Sequence, residues 1–241
     1  MIQQIPRLTL FSAPRSGCSA RVRIAARLKG IQLQIETVDV SNSQHTTHAY
    51  LQCNPNGSVP TLVFDYGDSA RKVRTTITQS LACLEFLEEA FPYHRSLLPC
   101  VSRNGGMGLS LSEESWIIAK RAKVRELAAL VSCDIQPPQN LRIRKEIEAL
   151  GGNSIEYARR VIGRGLSVYE RLVGQEDRFS ELSETPRTFS VGNEITLADV
   201  CLVPMVQGGL RNGMQIDEFP LVKAIFERCM QEREFYEGGL Q

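Results

Sequence analysis

Residues 7–30 read RLTLFSAPRSGCSARVRIAARLKG, and this stretch decides the fold. The short apolar run at residues 8–11 predicts a β-strand, and the apolar spacing from about residue 18 to residue 29 predicts an α-helix. Gly30 follows directly and is a typical helix stop. A strand that passes through a polar turn into a helix is the first step of a domain in which strands and helices alternate.

The alternation of strands and helices continues to residue 91. Apolar and β-branched runs predict strands, turn residues separate them, and leucines at helical spacing mark the last helix until Pro92 ends it. The predicted elements are a strand at 33–38, a short helix ending near 52, a hairpin of strands at 59–64 and 73–77, and a helix from 81 to 91. The predicted order of elements is therefore βαβαββα.

The second part of the chain has a helical pattern only. Helices are predicted at 112–131, from about 139, at 154–173, at 197–207 and at 220–235. The polar segment at 175–188 is interpreted as a surface insertion, and Thr196 with Asp199 as a capping box that serves folding. We predict an α/β domain at residues 1–92, a linker rich in Pro, Ser, Asn and Gly at 93–108, and an all-α domain at 109–241.

The composition excludes several classes of partner. Lys and Arg total 28 and Asp and Glu 27, which gives a formal net charge of +1. Because the basic residues are scattered, we expect no nucleic-acid and no membrane-surface partner. The N-terminus lacks a signal-peptide pattern, and no apolar run approaches the ~20 residues that span a bilayer. The seven cysteines include no C-x-x-C pair, so we expect free thiols, no metal site and a cytoplasmic protein.

The first strand-to-helix turn carries small side chains that suit an anion. Ser16, Cys18 and Ser19 surround the predicted helix start. Helix N-termini favour anions because their first N–H groups are unpaired and the helix dipole is positive there. A serine hydroxyl here can donate to a thiolate or can merely cap the helix, and Cys18 is either a reactive thiol or a small packed side chain. For Arg21 and Arg23, the simple alternative is a structural role.

Two later stretches are suited to an extended, charged ligand. Pro60 begins a predicted strand, where its missing N–H fits an edge, a turn or a cis bond that exposes the backbone groups of Val59. A peptide-like ligand can pair with such a backbone. Gln79 and Ser80 open the next helix, where N–H groups, a hydroxyl and an amide can hold an anion. Each stretch also has a plain structural reading, as a strand start or as a helix cap.

Taken in order, these motifs resemble those of the glutathione transferases, and more narrowly their zeta class, the maleylacetoacetate isomerases. The likeness begins with S-x-C-S-x-R-V-R-I-A at residues 16–25 and includes the Val-Pro and Gln-Ser pairs at 59–60 and 79–80. It continues with IQPPQNL at 135–141 and VGNEITLADVCLVP at 191–204. The resemblance implies an α+β protein, with a thioredoxin-like N-terminal domain and an all-α glutathione-transferase-type C-terminal domain.

The resemblance also implies roles for individual residues. Ser16 takes the position of the family's thiolate-activating serine, and Cys18 that of a nearby catalytic-site cysteine. Arg211 would bind a substrate carboxylate together with Arg15. Without the resemblance, Arg211 would be interpreted as a solvated residue at the end of a helix. Glutathione, the implied cofactor, would contact Ser16, Gly17, Cys18, His45 or Gln44, Val59, Pro60, Gln79, Ser80, Gln136, Asn140 and Leu141.

This sequence departs from the family pattern at two of these places. Gly17 stands where the family usually has a second serine, so activation would depend on Ser16, backbone amides and Cys18. Arg142 stands where a serine is common, and its charge and size would alter the rim of the pocket.

The activity that the resemblance implies is isomerisation of maleylacetoacetate to fumarylacetoacetate, a step of tyrosine and phenylalanine degradation. A glutathione thiolate would add to the cis double bond, permit rotation and then leave. A broader transferase that conjugates electrophilic or halogenated acids would use the same residues. A thiol transferase with Cys18 as nucleophile is disfavoured, because Ser16 occupies the slot where omega-like relatives have cysteine. A non-catalytic binding module is a further alternative. The family's members are homodimers, so the likeness implies a homodimer acting on a small acidic substrate.

Overall fold

The computed structural model describes residues 7–67, 72–100, 111–179 and 187–239. These residues form two compact units. Unit 1 contains the described residues up to Arg95 together with 237–239, and unit 2 runs from Ser96 to Tyr236. The sequence-based division had placed 237–239 with the helical part, whereas their contacts are with unit 1. The second half of the predicted linker, residues 101–108, lies outside the described residues.

Unit 1 has the predicted βαβαββα order. Its elements are β1 (Leu8–Ser12), α1 (Gly17–Leu28), β2 (Leu33–Thr37), a 3₁₀ turn (Gln44–Thr46), α2 (His48–Leu51), β3 (Thr61–Gly67), β4 (Lys72–Ile77) and α3 (Ser80–Ala90). The predicted bounds hold to within two residues except at the end of β3, which runs to Gly67 and not to 64; β3 also begins at Thr61 and not at 59. Pro60 has no N–H to donate to a neighbouring strand, so the ladder starts after it.

The strands form one mixed sheet with the order β2-β1-β3-β4. β1 is parallel to β2, and β3 is antiparallel to both β1 and β4. The register pairs Ser12 with Thr37, Phe11 with Thr61, and Leu62 with Ile77. As a result β1, β2 and β4 end, and β3 begins, at one edge of the sheet, which we call the junction edge.

The core of unit 1 lies between the sheet and the two long helices. α1 buries Val22 and Ile24 completely, and α3 does the same with Leu87. α1 also packs against α3. Because the helices are fixed on the sheet by this apolar packing, their N-termini are held in place at the junction edge.

All of the regular secondary structure in the described residues of unit 2 is helical. Its elements are α4 (Leu111–Ala129), a π-helical stretch (Leu130–Ile135), a 3₁₀ turn (Pro137–Gln139), α5 (Leu141–Ala149), α6 (Ser154–Phe179), α7 (Leu197–Arg211), α8 (Pro220–Cys229) and the first four residues of α9 (Arg233–Gly238), whose last two residues belong to unit 1. α7 is its core helix, and all of its residues from Leu197 to Val206 are buried. Among the described helices, none combines the length and the apolar character needed to cross a bilayer.

Two predicted helix bounds in unit 2 need correction. The helix predicted at 154–173 continues to Phe179, since Gln, Glu and Arg are good helix formers; residues 180–186 of the segment interpreted as an insertion lie outside the described part. The single helix predicted at 220–235 is two helices, because the chain tightens into i→i+3 hydrogen bonds at Gln231 and Glu232. The π-helical stretch was not predicted. The Thr196–Asp199 capping box is confirmed.

Candidate functional site

Ser16 caps the N-terminus of α1 at the junction edge. Its backbone is extended, and its hydroxyl oxygen accepts a hydrogen bond from the backbone N–H of Ser19 at 3.2 Å. The capping role considered for Ser16 is therefore present. It does not exclude the other role, because accepting through a lone pair leaves the hydroxyl hydrogen free to be donated to an anion.

Gly17 and Cys18 are the first two residues of α1, and both are partly exposed. The first N–H groups of a helix have no partner within it. Ser16 to Cys18 therefore present a hydroxyl, a thiol and unpaired backbone donors at a single helix end. Because the helix dipole is positive at this end, a negatively charged sulfur is favoured there.

The Val59–Pro60 peptide bond is cis, which is one of the alternatives that the sequence left open at Pro60. Two buried side chains hold the residues around it. Tyr50 donates through its hydroxyl to the Ser58 carbonyl at 2.6 Å and lies 2.9 Å from the Thr61 hydroxyl. Asn54 donates through Nδ2 to the same carbonyl at 2.7 Å and to the Thr61 hydroxyl at 2.9 Å.

This network leaves the backbone of Val59 in a fixed place directly before β3. Asn54 and Thr61 are fully buried, and burial raises the pKa of Tyr50, which therefore stays a neutral donor at physiological pH. The sequence analysis missed Tyr50, Asn54 and Thr61. The only signal was the turn composition at 54–57, which does not reveal that the Asn54 side chain points inward.

Gln79 and Ser80 begin α3 at the same edge. Gln79 is exposed and occupies the N-cap position without a side-chain capping bond. Ser80 is buried, and its hydroxyl accepts from Arg21 Nη1 at 3.2 Å. Arg21 is 1% exposed, so it is a structural link between α1 and α3, which settles one alternative from the sequence.

The loop after β2 also lies at the junction edge. Gln44 uses its side-chain carbonyl within the loop, where it accepts from the Asp39 backbone N–H at 2.7 Å. His45, in contrast, has a buried Nδ1 with no hydrogen-bond partner among the described residues. The His45 carbonyl lies 3.3 Å from the position that a Cβ on Gly57 would take, so this loop is close to the segment before Val59. Of the two candidates, the geometry favours His45.

In unit 2, the residues of the IQPPQNL motif surround the start of α5. Gln136 donates through Nε2 to Asn140 Oδ1 at 3.0 Å, and Leu141 is half-exposed as the first residue of α5. The π-helical stretch ends at Ile135, whose side chain occupies the space that a Cβ on Gly165 would need. This close packing fixes the chain immediately before the motif.

Arg211 is the exposed last residue of α7, and its neighbour Asn212 is tied to two other helices. Asn212 Oδ1 accepts from Arg144 Nη1 at 3.3 Å, and its carbonyl accepts from Arg159 Nε. α5 and α6 thus hold the turn that follows Arg211. Arg15 and Arg142 are exposed, and their side chains are free to reach a ligand. The sequence analysis missed Arg144 and Arg159.

The arrangement in unit 1 has a clear chemical character. Ser16, the cis Val59–Pro60 bond, Gln79–Ser80 and the His45 loop all adjoin the junction edge. They combine a helix end that stabilises an anion with a fixed backbone segment that can pair with a peptide. In the described residues, no group of three or more His, Cys, Asp or Glu side chains is placed to hold a metal ion.

Comparisons with known proteins find matching domain families and similar sequences. Family models for the N-terminal and C-terminal domains of glutathione S-transferase match residues 15–90 and 167–232. A maleylacetoacetate isomerase of Emericella nidulans is 35% identical over 233 residues, which cover 96% of this chain and 91% of that protein.

Two solved structures of isomerases are also similar to this chain over nearly its whole length. A bacterial maleylpyruvate isomerase, described as a zeta-class glutathione S-transferase, superposes with a TM-score of 0.77 at 28% identity and covers 96% of both chains. A maleylacetoacetate isomerase of Anaeromyxobacter dehalogenans, solved with glutathione in its active site, superposes with a TM-score of 0.74 at 30% identity, over 98% of this chain and 96% of that one. The predicted two-part fold is confirmed.

Proposed function

This chain belongs to the glutathione transferase family, in its zeta class, and on that premise we propose that it isomerises maleylacetoacetate to fumarylacetoacetate with glutathione as cofactor. The observation that carries the proposal is the convergence at the junction edge. There the Ser16 cap, the cis Val59–Pro60 bond and the start of α3 at Ser80 lie at the ends of adjacent strands.

The residues of unit 1 fit a cysteine-containing tripeptide. The fixed backbone of Val59 would pair with the backbone of the cysteinyl residue. Gln79, Ser80 and the N–H groups of α3 would hold the charged γ-glutamyl end. His45, in the loop that lies close to the segment before Val59, would contribute a further polar contact. In unit 2, Gln136, Asn140 and Leu141 are the proposed contacts.

Ser16 and the first turn of α1 would set the protonation state of the sulfur. A free thiol has a pKa of about 8.5, so only a few per cent is thiolate at neutral pH. Donation from the Ser16 hydroxyl, together with the N–H groups at Gly17 and Cys18, would favour the charged form. Bound glutathione supplies the nucleophile that adds reversibly to the cis double bond, which permits rotation about the resulting single bond before the thiolate leaves.

Arginines would orient the acidic substrate. Arg211 is proposed to receive a substrate carboxylate, with Arg15 as a second cationic contact. Charge-assisted hydrogen bonds from a guanidinium are strong and directional, so they would fix which carbon faces the sulfur. Asn212, held by Arg144 and Arg159, supports this role because it limits the positions open to Arg211.

A direct experiment compares two reactions. Isomerisation of maleylacetone and conjugation of a chloroacid are each measured with glutathione, without it, and with S-methylglutathione, which cannot form a thiolate. We expect isomerisation only when glutathione is present, and at a rate that exceeds the rate of conjugation. Conjugation without isomerisation would replace the proposal with a broader transferase, and binding without either reaction would indicate a non-catalytic module.

We further propose a homodimer located in the cytoplasm, by analogy with the zeta class. The support is the family membership. Sedimentation velocity at micromolar concentration is expected to give twice the monomer mass of 26.9 kDa. A monomer at these concentrations would contradict the dimer without affecting the proposed reaction.

The network around Ser58 leads to a prediction for glutathione binding. Asn54→Ala removes three hydrogen bonds that hold the chain around Val59: those donated to the Ser58 carbonyl and the Thr61 hydroxyl, and the one accepted from the Asn56 backbone N–H. We expect the KM for glutathione to rise about 3- to 10-fold, since each such bond contributes about 0.5–1.5 kcal/mol, while kcat changes less. Steady-state kinetics measure both constants. Gln52→Ala is the matched control, because this exposed side chain bonds only His48 in the described structure. Equal effects of the two substitutions would refute the prediction.

A further inference from the structure

Arg23 is tied to the turn that precedes Ser16. Its Nη1 donates to the Ser12 hydroxyl at 2.7 Å and to the Ala13 carbonyl at 3.3 Å, and its Nη2 donates to the Pro14 carbonyl at 3.2 Å. The Ala13 carbonyl also accepts from the backbone N–H of Ser16 at 3.1 Å. Arg23 and Ser16 therefore share one acceptor, and the position of that carbonyl sets the start of α1.

The same guanidinium also holds a segment 215 residues away in the chain. Arg23 Nε donates to the Gly238 carbonyl at 3.0 Å, and Nη2 donates to the Gly239 carbonyl at 2.6 Å. One turn further along α1, Arg27 forms an ion pair with Glu237 at 2.5 Å. All three nitrogens of the Arg23 guanidinium are in use, and its planar shape fixes its acceptors relative to one another.

The fit of this segment on α1 depends on a glycine. A Cβ added to Gly238 would lie 3.0 Å from the backbone N and Cα of Ile24 and from its Cγ1. These distances are too short for an ordinary contact, and the backbone of a buried helix cannot easily yield. Residues 237–239 are therefore seated on α1 by shape as well as by hydrogen bonds.

We propose that Arg23 is a positioning residue for Ser16, and that segment 237–239 holds Arg23 in this role. The segment fixes one side of the guanidinium, and the other side fixes the Ser12 hydroxyl, the Ala13 and Pro14 carbonyls and so the Ser16 turn. The inference rests on the proposed function, in which Ser16 stabilises a thiolate. It adds a role for a segment that contains none of the proposed site residues.

The charge of Arg23 is not a variable in this arrangement. Burial, followed by the nearby Arg27, lowers the pKa of Arg23 to about 10. The guanidinium therefore remains protonated at neutral pH and keeps all of its donors. A change in the titration of bound glutathione in an Arg23 variant would thus report the geometry of the turn.

The experiment compares three variants with the wild-type protein. Arg23→Lys keeps the charge but cannot reach both sets of carbonyls, and Gly238→Val displaces the segment without touching the turn. Arg27→Ala is the control, because Arg27 has no hydrogen bond to the turn and its exposed ion pair with Glu237 contributes little to the seating of the segment. Two properties are measured: the pKa of the bound glutathione thiol, from the ultraviolet absorbance of the thiolate, and hydrogen exchange of residues 12–19 in the ligand-free protein.

We expect Arg23→Lys and Gly238→Val each to raise the pKa of the bound thiol by about half to one unit. Both variants should also speed exchange in residues 12–19, whereas Arg27→Ala should leave both readouts as in the wild type. Wild-type values in Arg23→Lys would overturn the positioning role. Wild-type values in Gly238→Val alone would overturn the role of the segment. Acceleration of exchange across the whole of unit 1, and not only in the turn, would mean that Arg23 serves stability alone.

These outcomes are distinct from failure of the proposed function. If the wild-type protein binds no glutathione, or binds it with the thiol pKa of free glutathione, the proposed function fails. If the wild-type protein lowers that pKa and the two variants lower it equally, only the present inference fails. The exchange measurement needs no glutathione and tests the coupling of segment and turn in either case.

Discussion

Ser16→Ala is expected to lower kcat/KM for isomerisation by about 10- to 100-fold at neutral pH, because a hydrogen bond to a charged group contributes about 1.5–3 kcal/mol. The loss should shrink as the pH is raised, since the thiol of bound glutathione would then ionise without help. The pKa of the bound thiol should rise by about one to two units. A pH profile of kcat/KM and a spectroscopic titration of the bound thiol measure both effects.

The capping role of Ser16 requires its own control. Alanine also removes the acceptor for the Ser19 N–H, which costs about 0.5–2 kcal/mol of stability, whereas glycine at an N-cap costs only a few tenths. Ser16→Gly should therefore be as inactive as Ser16→Ala but more stable, and Ser16→Thr should retain most activity. Full activity in Ser16→Gly would remove the hydroxyl from the mechanism.

Cys18 tests the rival nucleophile. In the proposed reaction Cys18→Ala loses less activity than Ser16→Ala, because the attacking sulfur belongs to glutathione. The opposite order, with turnover abolished by Cys18→Ala and retained by Ser16→Ala, would favour a thiol transferase. Cys18 is partly exposed at the second position of α1, so a substitution there leaves the core intact.

Local sequence signals predicted the pieces of the candidate site. Small polar residues at a helix start, a proline at a strand start and leucines at helical spacing each reflect the conformation of a few neighbouring residues. The element order of unit 1 and the Thr196–Asp199 capping box followed from such signals and are confirmed. The cis form of the Val59–Pro60 bond was one of several open alternatives.

The contacts that bring the pieces together are long-range and left no comparable signal. The pairing of Phe11 with Thr61 and of Leu62 with Ile77 depends on register, which no single segment encodes. The seating of Gly238 on Ile24 joins residues that are distant in sequence, and the glycine there resembled any terminal glycine. The choice between His45 and Gln44 also required the hydrogen bond from Asp39 to Gln44, which only the folded loop reveals.

The stability of unit 2 is expected to depend strongly on Asp199. Its carboxylate is fully buried and accepts from the backbone N–H of Ser190 and of Thr196, each at 2.8 Å, and from the Thr196 hydroxyl at 2.9 Å. Asp199→Ala leaves these donors in the core without an acceptor. We expect the free energy of unfolding to fall by about 3–4 kcal/mol, since each orphaned buried group costs about 1–3 kcal/mol. Urea denaturation followed by circular dichroism measures the loss.

Asp199→Asn separates the hydrogen bonds from the charge. Burial raises the pKa of Asp199, while the hydrogen bonds from Ser190 and Thr196 act in the opposite direction. A carboxyl whose pKa is higher in the folded protein stabilises the fold most below its unfolded value of about 4, and this stabilisation declines as the pH rises through the folded pKa. The stability gap by which the wild type exceeds Asp199→Asn, which does not titrate, should therefore narrow as the pH rises above about 4.

Because the stability of the variant is compared with that of the wild type at the same pH, the titration of the other groups cancels. Asp217→Ala, at an exposed carboxylate paired with Lys223, is the matched control and should not change stability measurably, because exposed ion pairs contribute little. A gap that widens with rising pH would mean that the hydrogen bonds outweigh burial and that the pKa of Asp199 is lowered in the fold. An unchanged stability in Asp199→Ala would mean that Ser190 and Thr196 find other acceptors, and that α7 does not depend on this capping box.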